Sequence, residues 1–322
     1  MKCLCCGKDI GGNPSREELE TGWHASCVKR FFLSNELPAI DLSEEFLERL
    51  AEDRATKGYA VPGVQKKLSL GLSTSKGKKP RLTLLDLPSG YILKPQSEAY
   101  PALPEAEFLA MDMARKTGIQ TVPFALLAVN DRLVYITKRI DRVKVGKETK
   151  KLAMEDFCQL GQRLTEDKYR GSYERCASII DKFSERPGLD LSEFFLRLVF
   201  CFVTGNSDMH LKNFSLIETA AGSGNYRLSE AYDLLPVSII LPEDEEEVAL
   251  TLNGKKNHLR RKDFLAFARN IGLPPKVAER TLQSIISLQG EYLEMIEGSF
   301  LPPDMKGRFL DLVKARIATF RK

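Results

Sequence analysis

The sequence predicts an α+β fold in two lobes, a β-rich small lobe and a mostly helical large lobe, behind a small amino-terminal module. Three observations predict it. Between residues 58 and 142, short apolar runs such as Tyr91-Ile92-Leu93 and Tyr135-Ile136-Thr137 alternate with turn residues around one helical stretch at 104–117. From Met154 onward apolar residues recur at helical spacing, in segments at 155–163, 173–183, 192–204, 262–270, 275–297 and 303–320. The first 40 residues hold four of the seven cysteines. The implied organisation is a module over 1–40, a linker helix within 41–57 capped by Asp41 or Ser43, the small lobe over 58–142 and the large lobe over 143–322. A chain of 322 residues with 43% hydrophobic content can bury one or two cores.

In the module, Cys3-x-x-Cys6 and His24-x-x-Cys27 supply two ligand pairs at the spacing of a tetrahedral zinc knuckle, with Gly11-Gly12-Asn13-Pro14 as the turn between the halves. Cys5 is a competing thiol, although Cys3 with Cys6 fits the spacing better. Trp23, Phe31 and Phe32 are placed to pack around a metal that so small a unit needs as its core. A full ligand set with no catalytic acid beside it points to structural Zn2+.

The small lobe opens with Val61-Pro62-Gly63-Val64-Gln65-Lys66-Lys67-Leu68, a turn feeding a strand, where backbone N–H groups can approach phosphates. Lys94 ends the apolar strand Tyr91-Ile92-Leu93. A lysine there is costly unless it meets an anion, so it either pairs with Glu107 of the 104–117 helix near a phosphate or snorkels to solvent.

The large lobe carries the sharpest signal. The apolar helix at 192–204 stops at Gly205-Asn206, and Asp208-Met209-His210-Leu211-Lys212-Asn213 follows at once, leading into the strand-like run 214–217 and, downstream, Tyr232-Asp233. Phosphoryl transfer from Mg-ATP needs a carboxylate to orient and deprotonate the attacking hydroxyl, and oxygen ligands for magnesium. Asp208, Asn213 and Asp233 are of the right type and order, and protein kinases place their catalytic Asp and Asn at this same separation.

Together with Pro104-Glu105-Ala106-Glu107-Phe108, Thr137-Lys138-Arg139-Ile140-Asp141-Arg142, and Met154-Glu155-Asp156-Phe157-Cys158-Gln159, these motifs stand in one order. In that order the chain resembles, from about Gly58 to its end, the HipA family of bacterial serine/threonine kinases, the toxins of toxin–antitoxin systems. The resemblance implies a protein-kinase-like fold using ATP and Mg2+. It implies that Asp208 is the catalytic base or the hydroxyl-orienting residue, that Asn213 and Asp233 bind Mg2+, and that Lys94, with Glu107 near it, contacts the nucleotide phosphates. Gly63, Val64, Gln65 and Lys67 would form the phosphate loop, and Thr137, Lys138 and Ile140 would lie where the adenine meets the hinge. Lys212 would reach the transferred phosphate, and His210, grouped with the catalytic residues, would either orient the loop through its ring nitrogens or take part in the chemistry. The implied partners are a protein substrate such as an aminoacyl-tRNA synthetase, an antitoxin that brings the kinase to DNA, and a separately encoded amino-terminal subdomain. One departure concerns regulation: family members often carry autophosphorylated serines before the phosphate loop, whereas Ala60-Val61-Pro62 offers no hydroxyl.

Composition narrows the rest. The net charge of +4 does not by itself imply nucleic-acid binding, and the basic run 255–262 lies close to the acidic run 243–247, so mutual screening is expected. The amino terminus lacks the apolar core of a signal peptide, and the longest apolar run, 194–203, is broken by Arg197 and too short for a bilayer. A cytoplasmic enzyme with reduced cysteines and no membrane association is the expectation. Two rivals use the same residues: a small-molecule phosphotransferase, and a pseudokinase that docks an antitoxin.

Overall fold

The computed structural model describes residues 1–40, 67–73, 79–83, 90–146 and 148–321. The linker helix within 41–57, the loop residues Gly63, Val64 and Gln65, the Ala60-Val61-Pro62 stretch and most of the polar tip 73–79 lie outside the described residues. The α+β class is as expected, and the chain divides into two compact units, Met1–Phe108 with Pro123–Arg139, and Leu109–Val122 with Ile140–Lys322.

The first unit begins with two short helices, α1 (Arg16–Thr21) and α2 (Ala25–Phe32). A capping box starts α1: Ser15 Oγ accepts from Glu18 N–H, and the Glu18 carboxylate returns to Ser15 N–H. Its six strands are β1 (Ala39–Ile40), β2 (Leu68–Ser73), β3 (Arg81–Thr83), β4 (Tyr91–Lys94), β5 (Phe124–Val129) and β6 (Arg132–Lys138), in sheet order β1-β3-β2-β4-β6-β5. Only β1 with β3 is parallel. Asn130 and Asp131 both take positive φ, the conformation a two-residue hairpin needs to turn β5 into β6 in register. Helix α3 (Leu103–Thr117) follows β4 and carries Glu107.

The amino-terminal module is fastened to β5. Leu126 N–H donates to Leu4 O at 2.8 Å, and Trp23 Nε1–H donates to Leu126 O at 3.1 Å. Both main-chain groups of Leu126 on the side away from β6 are thereby satisfied, which protects an edge strand that would otherwise be open. Trp23, Phe31, Phe32 and Tyr91 form one aromatic cluster, with Phe31 and Phe32 4.9 Å apart and Phe32 5.5 Å from Tyr91.

The second unit holds the hairpin β7 (Arg142–Val145) and β8 (Glu148–Lys151), and a three-stranded antiparallel sheet of β9 (Met154–Asp156), β10 (Ser215–Glu218) and β11 (Tyr226–Leu228) with β10 central. Its helices are α4 (Phe157–Leu160), α5 (Tyr173–Phe183), α6 (Pro187–Thr204), α7 (Val237–Ile240), α8 (Arg261–Asn270), α9 (Pro275–Ser287), α10 (Gln289–Glu297) and α11 (Pro303–Arg321). Helix α6 is the hub. Phe202 packs in tilted contact against Phe264 of α8 and Phe320 of α11, with ring centroids 5.1 and 5.4 Å away. Its one buried arginine, Arg197, spends its charge on Glu193 and the Ser229 carbonyl. No helix among the described residues is long and apolar enough to cross a membrane.

Three segments differ from the expected helices, the first being 192–204, which starts earlier, at Pro187. Residues 155–163 are not one helix: Met154–Asp156 pairs with β10, and Asp156 caps the four-residue α4 through a box with Gln159, after which Gly161 ends it. Strand pairing captured the first residues because the cap fixes extended backbone at Asp156. Residues 275–297 break at Leu288 into α9 and α10, which lets Tyr292 bury its hydroxyl 2.6 Å from Thr117 Oγ1.

Candidate functional sites

In the second unit, the segment 205–213 is shaped by its own hydrogen bonds. Gly205 ends α6 at φ +68, and a Cβ there would lie 2.5 Å from Leu312 Cδ2 and 3.0 Å from Ser238, so only glycine fits. Asp208 N–H donates to Asn206 Oδ1 at 3.2 Å, and Asn213 Nδ2 donates to the Asp208 carbonyl at 2.8 Å. The donor end of the Asn213 amide is thus spent inside the loop, and its oxygen is the end left for a cation. The Asp208 side chain is 45% exposed. Phe214, next to Asn213, anchors the segment 5.0 Å from Phe194 and 5.6 Å from Phe157.

Tyr232 ties the second aspartate to the same loop. Its hydroxyl lies 2.6 Å from Ser215 Oγ and donates to Lys212 O at 3.1 Å. Asp233 follows at φ +58, a left-handed conformation that costs about 1 kcal/mol or more for a residue with a Cβ. Its backbone is held where the chain alone would not put it.

Lys212 pairs with Asp156 at 2.6 Å, so one carboxylate both caps α4 and holds a loop cation. His210 is buried, its Nδ1 has no hydrogen-bond partner among the described residues, and its Nε2 stands 4.0 Å from Asp208 Oδ1. Burial pushes its pKa down and favours the neutral ring. The ring packs edge-on against Tyr169 at 5.0 Å. Nε2 thus faces the loop's own carboxylate, while the ring packs against Tyr169.

In the first unit, Lys94 Nζ meets Glu107 Oε1 at 2.6 Å, with the two side chains 5% and 2% exposed, and lies 5.4 Å from the Tyr135 ring centroid. The snorkelling alternative is not what forms. Thr137 Oγ1 donates to Pro123 O at 2.9 Å, and Lys138 places its ammonium 5.3 Å from the Phe31 ring. Lys67 is exposed immediately before β2. Ile140 opens the long segment of the second unit.

The module brings Cys3, Cys6, His24 and Cys27 together with all ligand atoms within 4.8 Å of one another. Cys6 Sγ and Cys27 Sγ are 3.5 and 3.9 Å from His24 Nδ1. Tetrahedral bonds of about 2.3 Å to sulfur and 2.0 Å to nitrogen give edges of roughly 3.5–3.8 Å, so the set fits zinc. Nδ1 would be the ligating nitrogen, because Nε2 is 3.3 Å from the Asp9 carbonyl and can donate to it. His24 N–H donates to Cys3 Sγ and Arg30 to Cys27 Sγ, bonds that suit thiolates. Cys5 stands outside the set, buried, its thiol pushed up to about 11 by burial.

Two residues outside the sequence reading join the loop: Asp156, quoted there only as part of a motif, and Tyr169, whose hydroxyl donates to Asp208 Oδ1 at 2.5 Å. The Asp-Phe-Cys-Gln capping box was a usable signal for the first; nothing local marks the second.

Comparison with known proteins gives a consistent answer. The family model of the HipA-like C-terminal domain matches residues 59–290. A Haemophilus influenzae protein named “Putative kinase” is 28% identical over 287 residues, covering 81% of this chain and 82% of that one. The serine/threonine-protein kinase toxin HipA of Shewanella oneidensis is 26% identical over 272 residues, covering 75% of this chain and 60% of the toxin. Among solved structures, a chain of the Shewanella oneidensis complex of HipA, HipB and operator DNA superposes with a TM-score of 0.68 at 22% identity, covering 81% of this chain and 65% of that chain. The chain thus spans less than two thirds of the toxin and of the chain in that complex.

Proposed function

This chain belongs to the family of the HipA-like C-terminal domain, and on that premise we propose that it is an ATP- and Mg2+-dependent serine/threonine protein kinase acting as the toxin of a toxin–antitoxin system. The observation that carries the reading is the folded 208–213 loop, in which a bond from Asn213 to the Asp208 main chain sets the Asn213 amide oxygen beside an accessible carboxylate.

In this reading the acceptor hydroxyl gives its proton to Asp208 as its oxygen attacks the γ-phosphorus of ATP, and the bond from phosphorus to the β-bridging oxygen breaks to release ADP. Asn213 and Asp233 would hold magnesium, which when bound offsets charge on the phosphate oxygens. Lys94, kept in place by Glu107, supplies a cation for the nucleotide. Lys212 is oriented by Asp156. Zinc on Cys3, Cys6, His24 and Cys27 would be structural, since all four positions are filled by protein.

The proposed partners are an antitoxin of the HipB kind and a translation protein, such as an aminoacyl-tRNA synthetase, as the phosphorylated target. DNA would be reached through the antitoxin. The basic run supports that order of contacts, because Lys255, Lys256 and Arg261 are engaged by Asp263, Glu246 and Glu279.

The test is transfer from γ-labelled ATP with Mg2+ by the full chain in bacterial lysate, beside Asp208→Ala and Asp233→Ala. A discrete labelled protein that disappears in both variants is expected. ATP binding without protein labelling would sink the protein-kinase reading and favour a small-molecule phosphotransferase or a binding module.

A further inference from the structure

The segment 165–173, which precedes and opens α5, holds the 208–213 loop at three points. Leu211 N–H donates to Lys168 O at 3.1 Å, Tyr173 hydroxyl donates to Met209 O at 3.2 Å, and Tyr169 hydroxyl donates to Asp208 Oδ1 at 2.5 Å. The Tyr169 ring is itself seated, edge-on to His210 at 5.0 Å with the Lys168 ammonium 4.8 Å from its centroid.

We propose that Tyr169 is the positioning residue for the acceptor-activating carboxylate: its phenol fixes Asp208 Oδ1, leaving the second carboxylate oxygen to receive the substrate hydroxyl. This rests on the assignment of Asp208 as the base. The physical need is plain. The terminal torsion of an aspartate is broad, and a carboxylate that is 45% exposed on a loop has little else to stop it turning. One short bond to the charged group, about twice as strong as a neutral one, restricts that torsion. Burial and the Asp208 carboxylate hold the Tyr169 phenol above its ordinary pKa, so it remains a donor throughout the neutral range. The competing idea is that the phenol lies where the acceptor hydroxyl should be and obstructs it. Against that, the neighbouring bonds that the Lys168 carbonyl accepts from Leu211 and that the Tyr173 hydroxyl donates to Met209 make the whole segment a brace of the loop and not a side chain resting in an open site.

The experiment compares the full chain with Tyr169→Phe and Asp208→Ala. It measures ADP formation and label transfer from Mg-ATP in lysate, the KM for ATP, and hydrogen exchange of the amides at 209–213. For Tyr169→Phe the expected result is a kcat about tenfold to hundredfold lower, a KM for ATP within about twofold, and faster exchange in the loop at unchanged Tm. A wild-type kcat in Tyr169→Phe overturns the proposal, and a raised kcat does so in favour of obstruction. If Asp208→Ala is dead while Tyr169→Phe is unaffected, only the positioning role falls. If Asp208→Ala transfers phosphate normally, the base assignment falls and the proposal with it. Should the wild-type chain transfer nothing, loop exchange decides alone, and an unchanged rate in Tyr169→Phe overturns the brace.

Discussion

The ion pair of Lys94 and Glu107 carries a desolvation cost, because both charges have left water. Removing one partner of a buried pair is destabilising, because the other charge keeps its desolvation cost and loses a close counter-charge. Glu107→Gln is therefore expected to lower stability by about 3–5 kcal/mol, read from a denaturant midpoint. The paired change Lys94→Met with Glu107→Leu should recover most of that loss while abolishing ATP turnover. If the double variant is as unstable as the single one, burial of charge is not the reason for the cost. Replacing both residues thus separates what the pair does for folding from what lysine does for the nucleotide.

Two elements depend on single backbone or metal features. Helix α6 delivers the 208–213 loop only because Gly205 turns the chain at positive φ against Leu312 and Ser238. Gly205→Ala combines left-handed strain with overpacking and should cost about 2–4 kcal/mol, with a matching fall in Tm and loss of phosphate transfer. A stable, active alanine variant would show that the close approach is relieved elsewhere. In the module, Cys3 and Cys6 of the candidate metal cluster bracket Leu4, and His24 adjoins Trp23; Leu4 and Trp23 are the two residues bonded to Leu126 of β5. Metal binding should therefore be linked to the stability of that sheet edge. About one zinc per chain is expected by elemental analysis. A strong chelator should lower the Tm of the wild type but change little in Cys27→Ser, which has already lost a ligand. No zinc in protein purified without chelator would refute the metal assignment.

For the molecule as a whole, nucleotide binding should appear as mass-action stabilisation. With Mg-ATP at a hundred times its Kd, the folded chain should gain about 2.7 kcal/mol, seen as a rise in Tm that needs both Mg2+ and ATP. Asp233→Ala should lose the magnesium-dependent part of that rise. An equal rise in the variant would mean that Asp233 does not hold the cation. Much of this was legible in the chain. Fold class followed from the period of the apolar residues, and the Cys3, Cys6, His24 and Cys27 cluster from two pairs at matching spacing, whereas the residues around Lys94 left pairing with Glu107 and snorkelling both open. These signals are local: helical and strand periods, caps and ligand spacings are written in residues a few positions apart. The tertiary structure alone decided that Tyr169 lies on Asp208, that Asp156 holds Lys212, that Asp233 takes positive φ, and that the metal module covers β5. Those contacts join positions from 39 to more than 100 residues apart, and only chain closure selects such partners from among many chemically equal ones.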